Sequence, residues 1–143
     1  MKLPNKIEPC PIIDALVEIR FSSVINSEAV FGLIYNSLKE EYPGFQKLPI
    51  LELPEQLRSK DPSLKFKPYY KLNNDNYVIQ IGPRVLVIGS YPTYTGWNNY
   101  SEEIFKVISK VLNLKIINKV ERIGLRYMNL FDGDLLNKIK EIF

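Results

Sequence analysis

The sequence predicts an α+β domain, an antiparallel sheet with two main helices packed on one face. Three observations carry that expectation. Residues 14–23 alternate polar and apolar with period two, the pattern of a half-buried strand. Residues 31–42 and 97–111 each place apolar side chains at helical spacing. Between them, residues 64–91 read as three short strands divided by Asn73–Asn76 and Gly82–Pro83, both turn-forming combinations.

Each element has a local reason. In the first strand Ala15, Val17, Ile19 and Phe21 share one side, and Asp14, Leu16, Glu18, Arg20 and Ser22 share the other. Asn26–Ser27 supplies a helix N-cap, with Glu28 complementing the dipole in the first turn. Phe31, Ile34, Tyr35, Leu38 and Tyr42 make that helix's apolar stripe, and Pro43–Gly44 stops it. Pro49, Pro54 and Pro62 make residues 45–64 irregular, with a short edge strand expected at Leu48–Leu53. Leu64–Leu72 reads as a strand that Pro68 confines to an edge or a bulge. Tyr77–Ile81 and Arg84–Tyr91 complete the meander. Trp97, Tyr100, Ile104, Val107, Ile108 and Val111 define the second helix, with Thr95 as its cap. Lys115–Leu130 is a long extended segment. Asp132 then caps a terminal helix whose apolar side is Leu135, Leu136, Ile139 and Phe143.

This order is close to the βαββαβ ferredoxin-like arrangement, with one added hairpin strand and a C-terminal helix. The first and last strands then lie side by side, so Glu18 is expected to pair with Arg122 or Arg126. The expected core is Ala15, Val17, Ile19, Phe21, Phe31, Ile34, Leu38, Ile104, Ile108, Ile123 and Leu125.

Composition narrows function chiefly by exclusion. The 143 residues suit one domain, residues 1–143, without linkers or repeats. There is no His, and Cys10 is the single cysteine. His-based acid–base chemistry, Ser–His and Cys–His pairs and nearly all structural zinc sites are thereby removed. Phosphate-loop motifs are absent. The sequence therefore points to a non-enzymatic domain with no catalytic residues, no metal and no cofactor. One cysteine between two prolines reads as a partly covered loop thiol and fits a reducing cytoplasm. Residues 1–11 lack the apolar stretch of a signal peptide, and no apolar run is long enough for a bilayer, so no membrane partner is expected.

Three constellations stand out, each with a structural and a functional reading. Residues 58–84 carry six Lys/Arg against two Asp, within a net charge of +3 for the chain. In this stretch Lys65, Lys67, Tyr69 and Lys71 alternate onto one side, with Arg84 in the following turn. They read either as a solvated edge that deters strand pairing or as a basic, tyrosine-bearing row that tracks nucleic acid. Six of the nine tyrosines fall between residues 69 and 100; there Tyr94 and Trp97 read as a rigid aromatic binding surface or as the start of a buried helix stripe. Arg122 and Arg126, four apart on one strand face, read as a cross-strand salt-bridge network or as an anion clamp.

Two further stretches carry a resemblance. Residues Pro11-Ile12-Ile13-Asp14-Ala15-Leu16-Val17-Glu18-Ile19-Arg20-Phe21 and Arg122-Ile123-Gly124-Leu125-Arg126-Tyr127-Met128-Asn129 resemble the paired strand motifs of a sporadically distributed family of uncharacterised bacterial and archaeal proteins. Its members are usually longer, so the resemblance implies that this chain corresponds to the N-terminal part of a longer protein. It implies no activity and transfers no catalytic residues. The family's patchy occurrence associates it with mobile or defence-related genes. Together these readings make the chain an interaction domain that binds a protein partner or forms a homodimer, with nucleic-acid binding by the basic meander as the alternative.

Overall fold

The computed structural model describes residues 6–142. The chain runs β1 (Ile12–Ser23), α1 (Ser27–Leu38), β2 (Gly44–Lys47), a 3₁₀ turn (Pro49–Glu52), α2 (Glu55–Lys60), β3 (Tyr70–Asn73), β4 (Tyr77–Gly82), β5 (Val85–Ser90), α3 (Trp97–Asn113), β6 (Ile117–Asn129) and α4 (Gly133–Ile142). One six-stranded sheet has the order β2-β3-β4-β5-β1-β6, and every neighbouring pair is antiparallel. The architecture is α+β, as the periodicities predict, and the first and last strands are neighbours. Two strands rather than one extend the sheet beyond the hairpin β4–β5.

β1 lies between β5 and β6 and supplies the centre of the core. Ala15, Val17, Ile19 and Phe21 are buried beneath the helices. Leu86 and Ile88 of β5 and Ile79 and Ile81 of β4 continue that face. α1 contributes Val30, Ile34 and Leu38, and α3 contributes Tyr100, Ile104, Val107 and Val111. Tyr100 is wholly buried because its hydroxyl donates to the Ile88 carbonyl at 2.5 Å; an unpaired phenol there would be costly.

Several local expectations shift. Val30, not Phe31, faces the core. Phe31 sits half-buried at the flank and stacks on Tyr70 with ring centroids 3.7 Å apart. Ile108 is likewise half-buried. Leu48–Leu53 holds the 3₁₀ turn, and the edge strand lies earlier at Gly44–Lys47. Residues 62–66 are a turn, so the strand expected from Leu64 begins only at Tyr70. Asn26 caps α1 through its side chain, which accepts from the Glu28 amide. Gly96, with φ +93°, takes the cap position of α3, a conformation a side chain resists. Thr95 instead meets the Tyr77 hydroxyl at 2.9 Å.

The largest departures concern β6. Among the described residues nothing buries its inner face at Ile123 and Leu125, which are 68% and 52% exposed rather than in the core. Glu18 pairs with Arg20 on its own strand at 2.6 Å, because its register partner on β6 is Gly124, which offers no side chain. The expected bridges from Glu18 to Arg122 or Arg126 are absent. On α4, Leu136 is exposed; the side chains of Leu135, Ile139, Ile142 and Phe143, on which the expected apolar side depends, lie outside the described residues.

A charged seam ties the two main helices. Glu41, just past α1, forms an ion pair with Lys106 at 2.8 Å and accepts a hydrogen bond from Lys110, and Lys106 also meets Glu103 at 3.0 Å. The Tyr42 hydroxyl donates to Glu103. Hydrogen bonds from Lys106 and Lys110 hold the Glu41 carboxyl below its ordinary value of 4.5. Burial works against the charge on Lys106, but its bonds to Glu41 and Glu103 outweigh this and raise its value.

Two predictions follow from this packing. Ile19→Ala should lower unfolding free energy by about 2–5 kcal/mol, measured by urea denaturation, whereas Ile123→Ala should change it by less than about 0.5 kcal/mol. A depressed carboxyl stabilises above its unfolded value and loses that contribution as pH falls through its folded value. Glu41→Gln should therefore lower stability at neutral pH and flatten the decline below about pH 4.5. Solvent screening keeps the effect under about 1 kcal/mol.

Candidate functional site

The residues singled out by sequence fall into three separate places. The first is a pocket of about 310 Å³ at the end of the sheet where β1 passes into α1. Lys65, Tyr69 and Arg84 all line it, together with Phe31 and Tyr70. The turn at residues 62–66 folds Lys65 inward, and the β4–β5 turn presents Arg84. Gly82 makes this possible: a Cβ there would come within 2.6 Å of the Lys67 carbonyl oxygen. Arg58 of α2 completes the lining. Sequence reasoning missed it because α2 lies in a proline-marked stretch with no apolar periodicity. Lys67 and Lys71 do not join the pocket; Lys71 lies 5.9 Å from the Tyr91 ring. The expected continuous basic row is thus divided.

Cations at this end are held largely by rings. The Arg58 guanidinium lies 4.8 Å from the centre of Tyr69. Arg20, Lys65 and Arg84 stand 4.7, 5.0 and 4.9 Å from the centre of Phe66. Arg84 also donates to Glu121 at 2.8 Å.

The second place is a wider, more open hollow of about 820 Å³ lined by Tyr94 and Trp97 with Cys10, Ile12 and Asn129. Tyr94 packs edge-on against Tyr100 and Tyr127, with centroids 6.0 and 5.9 Å away. Burial, then its hydrogen bond with Tyr127, pushes the Tyr94 phenol well above its ordinary value of 10.0. Burial does the same for Tyr100. Both remain neutral phenols, suited to hydrogen bonding rather than proton abstraction. Trp97 is half exposed. Cys10 is an exposed free thiol.

The third place is β6 itself. It is a long edge strand paired only to β1. Its ladder is regular from Arg122 to Met128 and irregular on both sides of that stretch. Arg122 and Arg126 register with Arg20 and Leu16, on the sheet face opposite the helices. Among the described residues neither arginine has a carboxylate partner. Val120, Ile123 and Leu125 register with Phe21, Ile19 and Val17 and so lie on the helix side, uncovered. The flank of α3 above them is also apolar: Phe105 is 67% exposed, Leu112 is exposed, and Ile108 is half-buried. These three lie on the side of α3 opposite the Glu103, Lys106 and Lys110 positions that meet Glu41 and Tyr42. Exposed apolar side chains thus stand both on the inner side of β6 and on one flank of α3.

Among the described residues, no group of three or more acidic or thiol side chains is placed to hold a metal ion. No described helix is long and apolar enough to cross a membrane. No family model, curated protein or solved structure matches this chain.

Proposed function

We propose that this domain is a protein-interaction module that receives a partner strand along β6. The observation that supports it is a 13-residue edge strand whose inner-face residues Val120, Ile123 and Leu125 are exposed. On β1, β4 and β5 the same face is buried in the core. Exposed edges of this length with an apolar face pair readily with another chain, and strand addition is an established recognition mode.

The charge and polarity of the surface favour one chemistry of occupant. Arg122 and Arg126 offer unpaired positive charge on the outer face, while Ile123 and Leu125 offer apolar surface on the inner one. The complementary strand alternates acidic and apolar residues. Self-pairing of two β6 strands about Gly124 sets each Arg122 opposite an Arg126, a like-charge contact that destabilises. An acidic heterologous partner is favoured over a second copy. The rival reading, nucleic-acid binding by the meander, has less support, since Lys65 and Lys67 lie in a turn and face different surroundings.

Two synthetic peptides test this reading, one alternating Val and Glu and the other Val and Lys. By fluorescence anisotropy the acidic peptide should bind at least about tenfold more tightly, a difference of about 1.4 kcal/mol. Arg122→Glu with Arg126→Glu should reverse the preference. Ile123→Lys with Leu125→Lys should abolish both interactions without lowering the unfolding midpoint. Binding that ignores all four changes would defeat the proposal. A stable dimer in analytical centrifugation, dissociated by the lysine pair, would assign the edge to a second copy instead.

A further inference from the structure

The pocket at the α1 end of the sheet has a composition that the β6 reading does not use. We propose that it binds a nucleoside 5′-monophosphate or a close analogue, a planar heteroaromatic ring joined through a polyol to one phosphoryl group. Three features of the pocket lead to this ligand class.

The first is available positive charge. Arg58, Lys65 and Arg84 come from three different segments and converge on one hollow. Arg58 and Lys65 have no carboxylate partner among the described residues. The Arg58 Nε is buried without any hydrogen-bond partner. Arg84 spends one of its donors on Glu121, and a guanidinium has five. Ring contacts position these cations while leaving their charge and N–H groups unsatisfied. A phosphoryl group, with three acceptor oxygens, satisfies such a cluster, and Arg forks match it in two places.

The second feature is the wall. Phe31 and Tyr70 are stacked at 3.7 Å and line the hollow beside Tyr69. Flat aromatic surface of this kind accepts a base by stacking. A volume of about 310 Å³ sits at the lower end of small-molecule sites, which suits a mononucleotide better than a dinucleotide.

The third feature selects among anions. Glu28 and Glu55 also line the pocket, and neither carries an ion pair among the described residues. Carboxylates accept from ribose hydroxyls or an exocyclic amine. They also repel additional negative charge, which disfavours a triphosphate or a nucleic-acid backbone. The pocket thus pairs donors with acceptors across one small volume, as a nucleotide's phosphate and sugar require.

Isothermal titration calorimetry with AMP, GMP, CMP and UMP tests the assignment, with adenosine, inorganic phosphate and a single-stranded oligonucleotide as comparators. At least one mononucleotide should bind saturably with a dissociation constant near or below about 1 mM. Adenosine and inorganic phosphate should each be weaker by about tenfold or more. Arg58→Gln should weaken the mononucleotide by about tenfold, and Lys65→Gln should weaken it independently. Circular dichroism should show both variants folded, since each side chain is only partly buried. No saturable heat from any of the four would overturn the proposal. So would phosphate binding as tightly as the nucleotide, or an affinity unchanged in both variants. Tighter, steeply salt-dependent binding of the oligonucleotide would also overturn it, by assigning these cations to a nucleic-acid strand.

Discussion

The double pairing of β1 is the constraint on which the rest of the molecule depends. Its inner row of Ala15, Val17, Ile19 and Phe21 is buried, and its two edges are taken by β5 and β6. A strand bonded on both sides and covered on one face leaves no backbone donor or acceptor unmatched in the interior. Ala15 is part of this economy. It registers with Tyr127 and Ser90, and its small side chain leaves space in which the rings of Tyr94, Tyr100 and Tyr127 meet. β6 takes the opposite position: it completes β1 and is itself completed by nothing in this chain's described residues. The interior of the domain and its most reactive edge are two consequences of one pairing.

Much of this was legible in the sequence because period and burial coincide. Ala15, Val17, Ile19 and Phe21 alternate without interruption and are all buried; Ile34, Leu38, Ile104 and Val107 recur at helical spacing and are buried too. Legibility fails where an apolar pattern lacks a cover. Ile123 and Leu125 alternate as convincingly as Val17 and Ile19, yet exposure is decided by whether a helix passes overhead, a matter of where α1 and α3 cross the sheet. Local pattern carries no record of that. Phe31 and Val30 show the finer version of the same limit, one residue's rotation about a helix deciding which faces the core. The pocket was half legible. Lys65, Tyr69 and Arg84 were marked by charge and aromatic content, but a turn at residues 62–66 brings them together where a strand was expected, and Arg58 reaches them only through tertiary placement.

Charge is managed differently at the two ends of the domain. At the α1–α3 seam, Lys106 and Lys110 are matched by Glu41 and Glu103, so positive charge is neutralised and the helices are held in register. At the pocket end, Arg58 and Lys65 rest on Tyr69 and Phe66, while Arg20 and Arg84 share the Phe66 ring and also meet Glu18 and Glu121. A ring holds a cation in place without cancelling it. The first arrangement is structural and closed; the second keeps its electrostatic field directed at solvent. A small modest-charge domain thereby acquires a locally cationic hollow while its net charge stays at +3.

The distance along the chain between β1 and β6 has a kinetic consequence. Ala15 and Tyr127 are direct partners, so this ladder closes a loop of most of the chain's length, while β4 and β5 close theirs across a two-residue turn. Closure of long loops is entropically slow, and during synthesis β6 is the last strand of the sheet to emerge. Until it arrives, β1 itself is an open edge carrying the row that later becomes the middle of the core. The nascent domain therefore presents a core-forming strand as its edge, and hands that exposure outward by one strand when β6 docks.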